Sequence, residues 1–428
     1  MANPNPELPA PRRFSSRCAL GYAAALGVSG IILPFFPVWL KSLALNADEI
    51  GVVLSVPILF RLVTAPLAGF WADRLAERAM VLWISAGLAL LSALLLTRVS
   101  GFWPVLLIYA LQGAAFAPFM PVMESITVTG VRRWGFRYGS IRVWGSVAFV
   151  LATLGAGVAI SASSPQFIPW AIAAAYGFAV AVGFIVPRLG RAVPPSQAPP
   201  DLPAMAGPGL PASLVARLRH GLRGRPGSGM EAGPGAGSGA GRGPGQSLLL
   251  LMIGCSLVQS THGMFYGFSG IHWQSAGFSG GEIGLLWSAG VAAEILFFFV
   301  AGTLTKWLSA DRMILFGSAV AILRWCIFVE PLGLYASLLL QLSHAFSFGF
   351  LHFAIQQKIV ETVHESRETS IQGLYFFLNG VFLAGSTLLS GLLYSHFGQQ
   401  SYYAMALLAA AGLAVCLLVD RRGAITRR

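Results

Sequence analysis

The sequence predicts an all-α integral membrane protein of about twelve transmembrane helices, arranged as two parallel six-helix repeats. Three observations carry this expectation. Of 428 residues, 56% are hydrophobic and only 10% charged, with a mean hydropathy of +0.71, so the chain lacks the polar surface that a soluble fold of this length requires. Apolar runs of ~20 residues, each enough to cross ~30 Å of hydrocarbon, recur from end to end. The chain also matches itself at a shift of 233 residues, Glu49 falling on Glu282.

The predicted spans cover 17–40, 49–72, 79–98, 103–128, 138–161, 166–187, 247–273, 282–305, 313–330, 332–357, 370–396 and 399–419. No small-residue cleavage site follows the first, so it reads as a retained span. Residues 188–246 separate the two groups of six. This segment is rich in Pro, Gly, Ala and Arg, as in "EAGPGAGSGAGRGPGQ". It cannot bury a core and reads as a flexible cytoplasmic linker. Its glycines are not a phosphate loop, because no Gly-Lys-Ser/Thr follows them. Within it, "ASLVARLRHGLRG" has the composition of a short basic helix that touches anionic lipid. The organisation is a tail (1–16), a bundle (17–187), the linker (188–246), a second bundle (247–419) and a tail (420–428). Cys18, Cys255, Cys326 and Cys416 all lie in apolar segments and read as small buried hydrophobes, not a disulfide frame or metal cluster. No metal or other cofactor is expected.

A net charge of +12 raises the question of nucleic acid, but the placement of the charge argues against such a partner. With the N-terminus in the cytoplasm, Lys41 and Arg98 are the cations of the outer loops. Arg61, Arg142 and Arg324 lie inside spans, and all other Lys and Arg residues fall in inner loops and tails. This positive-inside bias places both termini in the cytoplasm of a multi-pass protein of the inner (cytoplasmic) membrane.

In the shifted register, "EIGVVLSVPILFRLVTAPLAGFWADRL" falls on "EIGLLWSAGVAAEILFFFVAGTLTKWL". Ser55 meets Ser288, Gly69 meets Gly302 and Leu75 meets Leu308; upstream, Gly30 meets Gly263 and Phe35 meets Phe268. An even number of spans per copy makes the repeats parallel, with a cavity between them near mid-membrane. The exit of the second span, "GFWADRLAER", resembles the Gly-x-x-x-Asp-Arg signature of the major facilitator superfamily, with Gly69, Asp73, Arg74 and Arg78 in place. Ala76 stands where that family usually has a second glycine, and in the second copy Lys306 replaces the Asp. "YGSIRVWGSVAFV", "HGMFYGFSGIHWQSAGFS" and "LLWSAGVAAEILFF" resemble the phenylpropionic-acid permease branch, a relative of lactose permease. The resemblance implies the major facilitator fold, secondary active transport rather than enzymatic activity, and a conformational-gate role for Gly69, Asp73, Arg74 and Arg78. A nucleoside, sugar or drug transporter of the same superfamily is the alternative. From other classes, a membrane enzyme lacks a nucleotide loop or a His-Glu-x-x-His motif, and a channel lacks a short re-entrant filter segment.

Five ionised residues fall inside spans, where each costs about 2.5–3.5 kcal/mol at mid-bilayer. Glu124 and Arg142 are equidistant in sequence from Arg133, which sets them level on neighbouring helices. Glu294 and Arg324 stand in the same relation to Ser309, predicting a second pair. Arg61 coincides with Glu294 in the repeat register. Three arginines against two glutamates leave one positive charge, which a substrate carboxylate would compensate. Arg142 and Arg61 are therefore candidate substrate-binding residues, and Glu124, Glu294, His344 and Arg324 are candidates for proton coupling. The alternative is that these are structural pairs fixing helix packing. Where the lactose-permease pattern places a Glu three residues after the His, this chain has Ser347, so that proton site does not carry over. His262 is a second polar candidate. Trp144, Phe149, Tyr266 and Trp273 are candidate substrate contacts, with Trp39, Trp287 and Tyr375 in similar spans; aromatic residues are equally normal in membrane cores and belts. "FFFV" reads as lipid-facing. The expected function is proton-driven symport of an aromatic or small organic acid such as 3-phenylpropionate. The partners are then that acid, protons and membrane lipid, and the chain acts as a monomer.

Overall fold

The computed structural model describes residues 10–72, 77–189, 244–304, 307–363 and 365–425. The regular structure among them is helical: α1 (Phe14–Ser42), α2 (Ala47–Ala72), α3 (Ala79–Leu96), α4 (Phe102–Phe116), α5 (Phe119–Trp134), α6 (Tyr138–Ala162), α7 (Ile168–Ile185), α8 (Pro244–Ser260), α9 (His262–Ser275), α10 (Gly280–Leu304), α11 (Ala310–Phe328), α12 (Leu334–Leu342), α13 (Leu351–Thr362), α14 (Glu365–Phe397) and α15 (Tyr402–Ile425). Most of the linker, Asp73, Arg74 and Lys306 lie outside the described residues; α8 already begins inside the expected linker, at Pro244.

Among the described residues, ten helical stretches are long and apolar enough to span a bilayer, where about twelve were expected. Two features account for the difference. The stretch Ser370–Val419 runs for 50 residues, and a 3-10 turn at Gly398–Ser401 divides it into α14 and α15. The helix α11, which carries Asp311, Arg312 and Arg324, is not among the ten. Three expected single spans are broken internally for local reasons. Pro118 has no N–H to donate and separates α4 from α5. At the α8–α9 junction, Ser260 and Thr261 hydroxyls donate back to the carbonyls of Leu257 and Val258 at 2.8 and 2.6 Å, which bends a helix. Between α12 and α13 the chain is π-helical over Ala345–Phe350.

Large apolar side chains point outward all round the bundle, among them Leu151, Val158, Leu296, Phe299 and Leu407. A water-soluble surface does not carry apolar patches on this scale, whereas hydrocarbon accepts them. The "FFFV" run divides: Phe298, Phe299 and Val300 are exposed, but Phe297 is buried against Phe350.

The core is continuous across the two groups of helices at one end of the molecule and divided at the other. One apolar cluster joins Phe35, Trp39 and Ile50 to Phe268, Trp273 and Ile283; a separate one, around Phe14, Tyr22, Phe119 and Met123, belongs to the first group alone. At the continuous end, helices from the two groups touch backbone to backbone. A Cβ on Gly51 would lie 2.8 Å from the Gly391 Cα, and one on Gly284 would lie 2.8 Å from the Thr153 carbonyl oxygen. Lys41 donates to Ser275 at 2.9 Å, and the Gly281 amide donates to Ser161 at 3.0 Å. This end is closed, and at the opposite end the first group keeps an apolar cluster of its own.

Candidate substrate and proton site

In the first group, away from the closed end, α5 and α6 form a hairpin turned at Gly135, whose φ of 69° favours glycine. The hairpin brings Glu124 and Arg142 together: Arg142 Nε lies 3.7 Å from Glu124 Oε1, with both side chains about one-third exposed (32% and 34%). Two residues not anticipated from the sequence complete the cluster. Tyr22 of α1 donates to Glu124 Oε2 at 2.7 Å, and Tyr138 donates to both carboxylate oxygens at 2.9 Å. The Arg142 guanidinium also sits 5.2 Å from the Tyr22 ring centroid. Tyr138 precedes Arg142 by one helical turn and so shares its face, a signal that was readable in the sequence.

The expected pair of Glu294 and Arg324 does not form. Arg324 is 1% exposed, and its partners are neutral. Nη1 donates to His344 Nδ1 (3.1 Å), His262 Nε2 (3.4 Å) and Ser347 Oγ (3.4 Å), and Nη2 donates to Gln341 Oε1 at 2.8 Å. The rings of Phe265 and Trp325 flank the guanidinium at 4.9 and 4.8 Å. Glu294 instead faces His344, with Oε2 3.6 Å from Nε2. Equal depth was not sufficient here, because α10 and α11 do not run along each other; the span from α12 to α13 packs between them. His344 immediately precedes the π-helical segment, a deviation frequent at functional sites. Gly317 makes room for that segment: a Cβ there would lie 2.8 Å from the Phe346 carbonyl oxygen. Gln341, three residues before His344, was the missed partner.

The remaining candidates scatter. Trp144 is 55% exposed and aligns with Val147, Leu151 and Val158 on the outward stripe of α6. It sits about 200° round the helix from Arg142 and does not join the cluster. Phe149 shares Arg142's face but is buried toward the closed end, beside Gly30. Tyr266 stands near His262 and Trp287. Trp273 is buried against Phe265, whose ring also packs on Arg324, and lines a cavity of about 560 Å³ at the closed end with His272, Phe328 and Gln341. Trp39, Trp287 and Tyr375 are core residues. Arg61 is exposed on α2. Gly69 lies in the last turn of α2, and Arg78 donates to Ser125, next to Glu124, at 2.7 Å. Among the described residues, no group of three or more His, Cys, Asp or Glu side chains is placed to hold a metal ion.

The helices thus enclose two polar clusters in an otherwise apolar bundle. The model of the MFS_1 like family matches residues 20–405. The chain belongs to this family. It is 27% identical over 401 residues to the "Probable 3-phenylpropionic acid transporter" of Escherichia coli (strain K12), a match covering 91% of this chain and 94% of that protein. It is 28% identical over 153 residues to the lactose permease of Citrobacter freundii, covering 33% of this chain and 36% of that one. Among solved structures, the nucleoside transporter NupG superposes with a TM-score of 0.75 at 14% identity, over 96% of this chain and 99% of that one. A bacterial homolog of the human lysosomal transporter Spinster, in an inward-facing and occupied conformation, superposes with a TM-score of 0.72 at 12% identity, over 96% and 98%. Membership of the MFS_1 like family makes this a membrane-embedded secondary transporter and not an enzyme.

Proposed function

We propose that the chain is a proton-coupled symporter of a small organic acid bearing an aromatic ring, with 3-phenylpropionate as the test substrate. The observation that carries this reading is the state of Arg142. Its ion pair with Glu124 engages Nε, so the Nη groups of a one-third-exposed guanidinium are left for a second carboxylate, the planar partner that arginine binds best. A neutral sugar offers hydroxyl acceptors to a guanidinium but no charge to balance it. The full-length similarity to a probable 3-phenylpropionic acid transporter supports the aromatic acid.

In this reading residues 17–187 and 247–419 are two six-helix repeats. A 50-residue helix would be about 75 Å long, more than twice the hydrocarbon thickness, so α14 and α15 are separate crossings. The α11 helix is also a crossing, its arginine shielded by neutral partners. The basic loops lie on the cytoplasmic side, which puts the closed glycine contacts at the outer face; alternating access then consists of parting those contacts and bringing the two groups together at the inner face. Arg142 binds the acid, held in place by Glu124, Tyr22 and Tyr138, while Tyr266 supplies apolar wall and Arg61 draws anions in. Glu294, backed by His344, His262 and Arg324, serves proton coupling, and Gly69, Asp73, Arg74 and Arg78 serve the conformational gate. The chain works as a monomer in the inner membrane.

The test is uptake of labelled 3-phenylpropionate into proteoliposomes. Accumulation is expected when the outside is acid relative to the lumen, with collapse on adding a protonophore. Equal equilibration with and without the pH gradient would reject proton coupling, and no uptake would reject the substrate class.

A further inference from the structure

Resting on the reading of Arg142 as the carboxylate-binding residue, we propose that the site admits a monocarboxylate only together with one proton, that this proton sits on Glu294, and that transport is therefore electroneutral.

Position comes first. The α6 and α10 helices belong to opposite groups and pack antiparallel at the closed end, Gly157 against Gly280 and Thr153 against Gly284. Each residue down α6 corresponds to one residue along α10. The same register carries Arg142 level with Ile295, beside Glu294. The two helices pack against each other along this register. An acid seated on the free Nη groups of Arg142 therefore brings its carboxylate toward that of Glu294. Two carboxylates sharing one low-dielectric site do not both stay ionised.

The hydrogen bonding identifies which group takes the proton. Both oxygens of Glu124 already accept from phenols. A guanidinium only donates, so His344 Nδ1, 3.1 Å from Arg324 Nη1, carries no hydrogen. Its Nε2–H then points at Glu294. A further proton on His344 would set N–H against N–H beside a buried cation. His262 is closed in the same way: Nδ1 donates to the Gln259 carbonyl at 3.1 Å, and Nε2 faces Arg324. The groups facing Glu294 are Arg142 on α6, Tyr266 on α9, His344 and, on α13, His352. Of the two glutamates, Glu294 is the one without phenol donors.

The charge balance follows. The empty carrier holds Glu294 as its anion; the loaded carrier holds a neutral Glu294 and the substrate's anion. The proton is taken from one solution onto the carboxylate and released from it into the other. Both forms carry the same net charge, so neither crossing moves charge through the membrane, and a dianion would add one that no group compensates.

The experiment begins with wild-type proteoliposomes; no accumulation under a pH gradient overturns the function proposed above and not this inference. Given accumulation, uptake is measured with the membrane potential clamped by potassium and valinomycin at either sign, and rates are expected to agree within about twofold. In binding assays, wild-type affinity for 3-phenylpropionate should fall about tenfold per pH unit above its midpoint, the slope of a single linked proton. Glu294→Gln should bind at all pH values as the wild type does in acid, exchange substrate and fail to accumulate it. Phenylmalonate should bind wild type at least about tenfold more weakly than the monoacid, as its second charge requires. Uptake accelerated by potential, a pH slope that survives in Glu294→Gln, or one that disappears in His352→Gln would overturn the inference. Should Glu294→Gln fail to fold, Glu294→Asp must retain the pH slope, and the potential measurement needs no variant.

Discussion

Arg142 and Arg324 are both arginines inside a membrane protein, and the structure treats them in opposite ways. Arg142 has a carboxylate beside it, two phenols fixing that carboxylate, and about one-third of its side chain exposed. Arg324 is sealed, with two imidazoles, a serine and an amide as acceptors and an aromatic ring close by on each side. A desolvated guanidinium needs acceptors for its donors: the Glu124 carboxylate engages only the Nε edge of Arg142 and leaves its Nη donors for a ligand, whereas the neutral acceptors around Arg324 take up both of its Nη groups. Intramembrane charge by itself therefore says little about function; the ionisation and reach of its partners decide.

The sharpest way to break this contrast is at Arg142. Arg142→Ala should lower uptake by roughly 100-fold, the size of a lost charged hydrogen-bond pair, and Arg142→Lys should recover only part of it, because an ammonium lacks the planar fork. If the double variant Glu124→Ala/Arg142→Ala transports like wild type, the pair is structural and the contrast is void. Arg324→Leu comes next, with a different signature. It strands buried acceptors at about 1–3 kcal/mol each, so the melting temperature and the folded yield should drop while the surviving folded protein still binds substrate; unchanged melting with lost binding would make Arg324 a ligand. Tyr22→Phe and Tyr138→Phe each remove one hydrogen bond to Glu124 and should weaken substrate affinity about fivefold, near 1 kcal/mol, with little change in stability. The smallest effect belongs to Trp144→Ala, expected within about twofold of wild-type uptake because its ring lies on the outward stripe of α6.

Much of the frame was legible in the sequence. Run length and polarity predicted a helical membrane protein, and sequence depth alone paired Glu124 with Arg142 because a short hairpin joins their helices. The same reasoning failed for Glu294 and Arg324. Depth says how far along a helix a residue sits, not which helix lies next to it, and there the α12–α13 span intrudes between α10 and α11. Trp144 illustrates a second limit: an aromatic residue two positions from Arg142 lies near it in sequence and on the far side of the helix. Tyr138 was readable from its four-residue spacing. Tyr22 was not, since it reaches Glu124 from α1 through tertiary packing.

The π-helical segment after His344 also has a genetic consequence. A turn closed by i→i+5 bonds holds one residue more than an α-helical turn, so the span behaves as though it carries a single inserted amino acid. Deleting one residue between Ala345 and Phe350 would restore a regular helix and leave the segments before and after it in nearly their present rotation, because the wide turn already absorbs the extra residue. The imidazole would keep its bearing toward Arg324 and Glu294, whereas the same deletion elsewhere in the span would turn one flank by about 100° against the other. Related permeases that differ by a one-residue gap at this segment would therefore keep the same polar interior.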